Sequence, residues 1–496
     1  MFKRVLIANR GEIACRVIRT CRRLGIQSVA AYSEADADAL HVRMADEAVK
    51  IGGAPAADSY LRIDRIVAAA KKVKADAVHP GYGFVSENPA FVEAVEAAKI
   101  AFVGPSASVI KQMGDKVEAR GLALLADVPV IPGTDGEVSA TDALAEARRV
   151  GFPLMVKAAD GGGGMGIRAV EREEDLLDAL EQARTQAGNF FGSDRVYLER
   201  RIDGASHVEV QVLGDHHGNV VHLFERDCSV QRRNQKVIEE TPCPKLTPPQ
   251  REALLESAVR LAKTIGYANA GTIEYLLDRD GNFYFLEMNT RLQVEHPVTE
   301  MVTGLDLVEL QLRVAAGEEL PIAQEDVRTR GAAIEARIYP EDPVSLLPTF
   351  GVVERLREPK GDGVRLDSAL YEGYEVSPYY EPMMAKLIVW ADDRPAAIDR
   401  LRQALDEFDT EGVVNNTALV RRVLDRTLFV EARHDNTFLE ELLRTPASDA
   451  GGKELIAALA VAMALAADKA ERAAPGKWKM YGRRAAMVSR LAGGAF

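Results

Sequence analysis

The segment at residues 287–297 constrains this chain more than any other. It reads Glu-Met-Asn-Thr-Arg-Leu-Gln-Val-Glu-His-Pro and follows an aromatic, strand-like run at residues 282–286. If the strand continues with a period of two, five polar residues face the same way: Glu287, Asn289, Arg291, Gln293 and Glu295. A buried strand rarely gathers such a row unless the row binds ions. Carboxylate and amide oxygens suit Mg2+, and an arginine suits a small planar oxyanion, so the segment predicts chemistry on a phosphate or a carboxylate.

The same run forms one arm of a predicted β-hairpin. Residues 270–278 and 282–287 are strand-like, and Arg279-Asp280-Gly281 between them contains the Asp-Gly pair that favours tight turns. The turn brings Glu274 on one arm close to Glu287 on the other. Two facing carboxylates repel each other unless a cation lies between them, so the hairpin predicts a Mg2+ site.

Length and composition indicate a multidomain enzyme. The chain has 496 residues, enough for about three domains. Its net charge of −13 argues against nucleic-acid binding, and its longest apolar run, at residues 455–467, is too short to cross a membrane. The amino terminus does not resemble a signal peptide, and no metal-binding spacing links the four cysteines, Cys15, Cys21, Cys228 and Cys243. We therefore expect a cytoplasmic protein with free thiols.

The first hundred residues alternate between strands and helices. Strand candidates at residues 5–8 and 28–32 flank a helical pattern at 13–24, and the rhythm continues to about Met113. This pattern predicts a Rossmann-like unit, although the first turn lacks the GxGxxG sequence of dinucleotide-binding proteins. The dense turn at residues 79–89 follows a strand and is either functional or a glycine-rich structural turn.

A second unit begins near Lys116 and contains a glycine-rich loop. Residues 152–158 are a strand candidate with Lys157 at its end, and Asp-Gly-Gly-Gly-Gly-Met-Gly-Ile-Arg follows at residues 160–168. Glycines let backbone N–H groups approach a phosphate closely, and the lysine adds a positive charge. The loop is not of the Walker A type, because GKS or GKT is missing. A flexible hairpin tip is the alternative interpretation.

Three further polar segments each allow two interpretations. Glu199 follows an apolar strand at residues 196–198 and either faces the adenine of a nucleotide or is a surface charge. In residues 207–213 the polar side chains share one face, which by itself indicates a half-exposed strand with a wet face, but beside the other motifs indicates a functional face. The segment at 225–236 holds four cationic residues and is either a solvated loop or an anion clamp beside the phosphate loop.

The chain changes character twice after residue 320. A boundary near residues 321–330 precedes an α+β region that extends to Leu443, with strands at 332–339 and 384–390 and a helix at 395–408; the first strand carries Arg337. A linker at residues 448–452 leads to a tail in which eight basic residues outnumber three acidic ones. The tail is either a docking element for an acidic partner or a helical hairpin packed on its own domain.

Together these segments show that the chain resembles the biotin carboxylases, the ATP-dependent components of acyl-CoA and pyruvate carboxylases. The motifs that carry the resemblance are IANRGEIA (7–14), HPGYGFVSEN (79–88), GDK (114–116), KAADGGGGMGIR (157–168), HVEVQVLGD (207–215), ERDCSVQRRNQK (225–236) and EMNTRLQVEHPVTE (287–300). They imply an α/β and α+β multidomain fold. Its parts are a Rossmann-like N-terminal domain at 1–114, an ATP-grasp domain at 115–325 with a mobile glycine-rich lid at about 131–203, a biotin carboxylase C-terminal domain at 326–446, and a basic helical extension at 447–496.

The resemblance also implies a role for each matching residue. ATP binding is implied for Lys116, Lys157, Gly161, Gly162, Gly163, Gly164, Gly166, Glu199, His207 and Gln231. The metal ion, Mg2+ or Mn2+, is expected on Glu274, Glu287 and Asn289. Bicarbonate is expected to contact Lys236, Arg291, Gln293 and the backbone of Val294, and biotin to contact Tyr82 and Arg337. The implied catalytic residues are Glu295 as the base for bicarbonate, Arg337 beside the biotin enolate, Lys236 and Arg291.

The expected protein is thus a ligase that carboxylates biotin through carboxyphosphate. The biotin attachment signature Ala-Met-Lys-Met is absent from the sequence, so we expect separate partners: a biotin carboxyl carrier protein and a carboxyltransferase subunit of an acyl-CoA carboxylase, with this chain as a homodimer. The alternatives are a subunit of a two-subunit pyruvate carboxylase, another ATP-grasp ligase, and a non-catalytic subunit with the same fold. Two positions depart from the family's pattern: Asn234 replaces a usual histidine, and Met165 replaces a usual basic residue.

Overall fold

In the computed structural model, residues 1–160, 166–233, 235–445 and 463 are described. The chain divides into two units, Met1–Leu442 and Leu443–Phe496. The predicted basic helical extension at 447–496 lies outside the described residues apart from Met463, and so do Gly161 to Met165 and Asn234. No helix in the described part of the chain is both long enough and apolar enough to cross a membrane.

The N-terminal part is the predicted Rossmann-like unit. Its strands are β1 (Arg4–Ile7), β2 (Gln27–Ser33), β3 (Glu47–Gly52), β4 (Ala77–His79) and β5 (Ala101–Phe102), and its helices are α1 (Gly11–Arg23), α2 (Leu40–Met44), α3 (Ile63–Lys72), α4 (Pro89–Ala97) and α5 (Ala107–Gly114). The strands pair in parallel in the order β3-β2-β1-β4-β5. Leu6 packs into one core and its neighbours Val5 and Ile7 into another, which explains the continuous apolar sequence of a strand covered on both faces.

The strands that flank the glycine-rich sequence belong to a small antiparallel sheet with its own core. Helices α6 (Lys116–Leu125) and α7 (Ala143–Val150) precede strands β6 (Leu154–Ala158) and β7 (Ile167–Val170), and α8 (Leu176–Phe191) and β8 (Val196–Arg200) follow. The strand order is β7-β6-β8, and α7 and α8 cover an apolar cluster that includes Val156, Leu180 and Leu198. Strands β6 and β7, which flank the glycine-rich sequence, therefore pair directly and share one core.

A large antiparallel sheet continues from the central part of the chain into its C-terminal part. The central part supplies β9 (Ser206–Gly214), β10 (Val220–Arg232), β11 (Gln235–Thr241), α9 (Pro248–Thr264), β12 (Asn269–Leu277), β13 (Phe283–Asn289), α10 (His296–Thr303) and α11 (Leu307–Ala315). The C-terminal part supplies β14 (Ala332–Ile338), β15 (Arg355–Arg357), β16 (Val364–Ser368), β17 (Ala385–Ala391), α12 (Arg394–Glu407), β18 (Asp409–Glu411), α13 (Thr417–Leu424), α14 (Thr427–Val430) and α15 (Phe438–Arg444). The order of the eight strands is β13-β12-β9-β10-β11-β14-β17-β16, so β11 and β14 hydrogen-bond directly.

Helix α10 covers one face of this large sheet. Its residues Val298 and Val302 pack against Ala333 on β14 and Ile388 on β17. Residues two positions apart along a strand face the same way, so Glu335 and Arg337 on β14 and Lys386 on β17 lie on this face as well. This face holds most of the candidate site.

Candidate functional site

Lys236 lies at the centre of three carboxylates that come from three different elements. Its Nζ atom lies 2.6 Å from Glu209 on β9, 3.0 Å from Glu274 on β12 and 2.6 Å from Glu295, which precedes α10. Glu209 and Glu295 are completely buried. Arg226, which is also completely buried, donates from Nε to Glu209 at 2.5 Å and neutralises a second side of the cluster.

A β-bulge aims Lys236 into this cluster. In the pairing of β10 with β11, Val230 lies opposite Ile238 and Gln231 lies opposite Lys236, so Val237 is the extra residue. The bulge lets Lys236 and Glu239 reach the same buried cluster although they are three positions apart. Simple alternation along the strand would have pointed them to opposite faces.

Arg337 connects this cluster to β14. Its Nε atom donates to Glu239 at 2.5 Å and its Nη2 atom donates to Glu295 at 2.9 Å. Burial alone would raise the pKa of Glu295, but the charges of Lys236 and Arg337 hold that pKa well below its usual range. Glu295 is therefore ionised at neutral pH.

The predicted hairpin is confirmed, and it brings the expected metal donors together. Glu274 on β12 pairs directly with Glu287 on β13. Asn289 donates from Nδ2 to Glu274 at 2.8 Å, and Lys116 at the start of α6 lies 2.5 Å from Glu287. His207 Nε2 lies 3.0 Å from the other oxygen of Glu274. Carboxylates from two strands next to an amide form an oxygen-rich donor set that suits Mg2+ or Mn2+.

The expected bicarbonate residues form a chain of contacts around Arg291. This guanidinium donates to Glu87 at 2.8 Å, to the side-chain oxygen of Gln293 at 3.0 Å and to that of Asn289 at 2.9 Å. Gln293 donates in turn to Glu274 at 3.1 Å. Each side chain in this series of contacts is held by a neighbour, so the Arg291 guanidinium is fixed beside the residues expected to bind the metal ion.

Two of the residues expected to bind ATP, Lys157 and Glu199, contact each other across the small sheet. Lys157 Nζ lies 2.5 Å from Glu199, and Arg120 Nη1 lies 3.1 Å from the other oxygen of the same carboxylate. Gly166 has a φ of +74°, and a Cβ atom there would lie 2.9 Å from the Cβ of Ala158, so only glycine fits this end of the loop. Gln231 lies opposite Lys236 in the β10–β11 pairing.

Tyr82 approaches the cluster from the Rossmann-like unit. Its hydroxyl donates to Glu12, and the Nζ atom of Lys386 lies 5.9 Å from the centre of its ring. Lys386 is completely buried and donates to the carbonyl oxygen of Val294 at 2.8 Å. This contact fixes the backbone next to Glu295, so the N-terminal and C-terminal parts of the chain both shape the site.

One sequence prediction about local structure is wrong, and two of the interpretations that the sequence left open are excluded. Strand β13 ends at Asn289, so the row from Glu287 to Glu295 is not one extended strand. The chain turns after Asn289, and Glu295 reaches the cluster from the start of α10. Strand β9 has no wet face, because every residue from Ser206 to Gly214 is buried. Most of residues 225–236 belong to β10 and β11 rather than to a solvated loop, since neighbouring strands on both sides supply hydrogen bonds.

Sequence reasoning missed several charged residues that surround this site. They are Glu12, Glu87, Glu209, Arg226, Glu239, Glu335 and Lys386. Glu209 shares a face with His207 in an alternating strand, and Glu335 and Arg337 alternate with alanine and isoleucine, so a charge at every second position was the available signal. Lys386 interrupts an otherwise apolar strand and had a weaker signal of the same kind.

Comparison with protein families gives three successive matches. Residues 1–110 match the family described as "Biotin carboxylase, N-terminal domain", residues 115–323 match "Carbamoyl-phosphate synthase L chain, ATP binding domain", and residues 335–441 match "Biotin carboxylase C-terminal domain". The matched ranges include the Rossmann-like unit, the small sheet and most strands of the large sheet.

Characterised relatives resemble the chain over most of its length. Biotin carboxylase of Halalkalibacterium halodurans is 50% identical over 445 residues, which are 90% of this chain and 98% of the relative. A pyruvate carboxylase subunit of Methanothermobacter thermautotrophicus is 49% identical over 90% of this chain and 91% of its own length. The propionyl-CoA carboxylase alpha chain of Ruegeria pomeroyi is 49% identical over 89% of this chain and 68% of its own length.

Solved structures agree with these sequence matches. Biotin carboxylase of Campylobacter jejuni, in a complex with a β-γ-ATP ligand, has a TM-score of 0.87 and 45% identity over 89% of this chain and 99% of its own. The biotin carboxylase domain dimer of Hydrogenobacter thermophilus 2-oxoglutarate carboxylase, solved with MgADP, ADP and bicarbonate, has a TM-score of 0.86 and 47% identity over 90% of this chain and 100% of its own. Both the sequence and the fold of these proteins therefore correspond to the part of the chain that builds the site.

Proposed function

The chain belongs to the biotin carboxylase family, and on that premise we propose that it is the biotin carboxylase subunit of an acyl-CoA carboxylase. It uses ATP and bicarbonate to carboxylate biotin on a separate carrier protein, and it releases ADP and phosphate. One observation carries the proposal: Lys236, Glu295 and Arg337 come from three elements and meet within hydrogen-bonding distance. The carboxylate suits activation of bicarbonate as a base, and the fixed guanidinium beside it suits stabilisation of an enolate.

The metal and the phosphates bind on the side of the large sheet that carries the hairpin. Glu274, Glu287 and Asn289 hold Mg2+ or Mn2+, and the oxygen-rich donor set supports this assignment. When bound, the metal ion neutralises charge on the phosphates of ATP. Lys116 and Lys157 contact the phosphates, together with the glycines at 161–166; Glu199, His207 and Gln231 lie towards the nucleoside.

Glu295 deprotonates bicarbonate, and the deprotonated bicarbonate then attacks the terminal phosphate of ATP. Bicarbonate is a weak nucleophile, so a nearby base increases its reactivity. Arg291, Gln293 and the backbone of Val294 hold the anion, and Lys236 compensates its charge. The low pKa of Glu295, caused by Lys236 and Arg337 despite its burial, supports an ionised base at neutral pH.

Biotin binds between Tyr82 and Arg337. Carbon dioxide and phosphate form when carboxyphosphate decomposes, and the phosphate removes the ureido proton of biotin. Negative charge then develops on the ureido oxygen, where a fixed guanidinium stabilises it most. The two carboxylates on Arg337 hold it in place before the substrate arrives.

We further propose that the chain is a cytoplasmic homodimer that works with a biotin carboxyl carrier protein and a carboxyltransferase subunit. The dimeric structure of the Hydrogenobacter thermophilus relative supports the homodimer. Four unpaired, buried cysteines support a reducing compartment. The similarity to a pyruvate carboxylase subunit favours a two-subunit pyruvate carboxylase as the second candidate.

The test is ADP release by the purified chain with Mg2+, bicarbonate and free biotin, with each omitted in turn. We expect ATP cleavage that requires Mg2+ and bicarbonate and that increases with biotin. Cleavage that is indifferent to biotin would point to another ATP-grasp ligase. Absence of cleavage with every substrate present, alone or with a carrier protein, would contradict the proposed activity.

A further inference from the structure

The sheet face beneath α10 holds a buried carboxyl group that has no hydrogen-bond partner among the described residues. This group is Glu335 on β14, whose side chain is completely inaccessible to solvent. Neither of its carboxyl oxygens has a partner. An ionised carboxylate in such a place is very unfavourable, and a carboxyl group usually remains neutral there.

A second buried carboxyl group lies directly across the strand pair. Glu239 on β11 pairs with Glu335 in the antiparallel ladder, and Glu239 is also completely buried. Directly opposed side chains in such a ladder have Cβ atoms about 5 Å apart. Two like charges at that distance, away from water, repel each other strongly, so the pair favours a state with only one charge.

The neighbouring cations already have other partners. Arg337 donates to Glu239 and to Glu295 at 2.5 Å and 2.9 Å. Lys386 donates to the Val294 carbonyl oxygen at 2.8 Å and lies 3.2 Å from Glu12. Glu335 is therefore the member of the pair without a hydrogen-bonded cation, and Glu239 is the member with one.

We propose that Glu239 and Glu335 share a single proton, which resides on Glu335, and that the ionised Glu239 is a positioning residue for Arg337. The charged groups that act on Glu335 are Glu239 from β11, Arg337 from its own strand, Lys386 from β17, and Glu295 at the start of α10. Burial, together with the charge of Glu239, raises the pKa of Glu335 well above its usual range, although Lys386 opposes the shift. Burial also raises the pKa of Glu239, to about 7, against the charge of Arg337, so Glu239 is the more acidic member of the pair. Burial and the proximity of Lys386 lower the pKa of His296, so this imidazole is neutral.

The two carboxylates hold different parts of the Arg337 guanidinium. Glu239 anchors the Nε edge of the guanidinium, and Glu295 contacts only the Nη2 atom. When Glu295 takes a proton from bicarbonate, its hold on Arg337 weakens, and Glu239 keeps the guanidinium in position for the biotin step. The inference rests on the proposed function, because it assigns Arg337 to the biotin step.

The experiment compares Glu239→Gln with Glu335→Gln. The two substitutions are matched, because they change the same chemical group at directly paired positions of one ladder. Two rates are measured for each variant: bicarbonate-dependent ADP release without biotin, and the increase caused by biotin. Infrared difference spectra between the wild type and Glu335→Gln report whether a protonated carboxyl group is lost, and circular dichroism reports folding.

We expect Glu239→Gln to lower the kcat of the biotin-dependent reaction roughly tenfold to a hundredfold, as for loss of a charge-assisted hydrogen bond, with ADP release in the absence of biotin preserved. Glu335→Gln should keep both rates and lose the carboxylic acid band, because glutamine resembles a protonated glutamate. Equal effects of the two substitutions, or a wild-type spectrum without that band, would overturn the inference. If the wild type itself shows no response to biotin, the proposed function fails, and the infrared band still decides whether the pair holds a proton.

Discussion

Replacement of Lys236 by methionine removes the cation from the centre of the carboxylate cluster and nearly keeps the length of the side chain. Glu209, Glu274 and Glu295 are each at most 5% exposed, so water cannot compensate their charges. Removal of one partner from a buried ion pair typically costs about 3–5 kcal/mol. Arg226 still neutralises Glu209 and Arg337 still neutralises Glu295, so we expect the lower end, about 3 kcal/mol at neutral pH.

The expected loss of stability depends on pH in a defined direction. Burial would raise the pKa values of Glu274 and Glu295, and Lys236 is the leading group that lowers both. A group with a depressed folded pKa contributes stability above its unfolded pKa, and this contribution is lost as the pH falls through the folded value. The depression is weaker without Lys236. The deficit of the variant is therefore complete from neutral pH down to 4.5, the ordinary pKa of glutamate, and it shrinks as the pH falls below that value towards the depressed folded pKa values.

Urea unfolding of the wild type and the variant, followed by circular dichroism at several pH values, measures this deficit. Lys72→Met on α3 is the control, because it removes an exposed lysine. We expect the control to unfold at the wild-type urea concentration. If Lys236→Met unfolded like the control at neutral pH, or if its deficit grew on acidification, the charge balance derived for the cluster would be wrong.

The remaining predictions concern the reaction. Glu295→Ala and Arg337→Ala should each abolish carboxylation of free biotin while ATP still binds, as measured by carboxybiotin formation and nucleotide titration; near-normal turnover by either variant would contradict its assigned role. Glu287→Gln should raise the Mg2+ concentration needed for half-maximal ADP release by roughly tenfold or more, because the donor set loses one charge. An unchanged Mg2+ requirement would place the metal ion elsewhere.

Features set by local chemistry could be predicted from the sequence. The Asp-Gly turn between β12 and β13 fixed the pairing of Glu274 with Glu287, and the structure confirms it. The alternation of short strands and helices was sufficient for the Rossmann-like unit, because each element carries its own periodicity. Arg337 was correctly assigned to a strand for the same reason.

Features set by distant pairing could not be predicted in this way. Glu239 and Glu335 are almost a hundred residues apart and meet only because β11 pairs with β14. The bulge at Val237 leaves no clear mark in the sequence, yet it determines where Lys236 points. The predicted row also failed beyond Asn289, because a period of two cannot show where a strand gives way to a turn. The predicted domain boundaries and the lid at about 131–203 stay predictions.

The pairing of β11 with β14 limits how this chain can be divided. The central part ends its sheet at β11, and the C-terminal part begins with β14, so each strand covers the hydrogen-bonding edge of the other. A fragment that stopped near residue 330 would expose the edge of β11, and a fragment that began there would expose β14. Unpaired edges of this kind favour aggregation. If the chain were divided there, the two fragments would need to be co-expressed, so that β11 of one fragment could pair with β14 of the other.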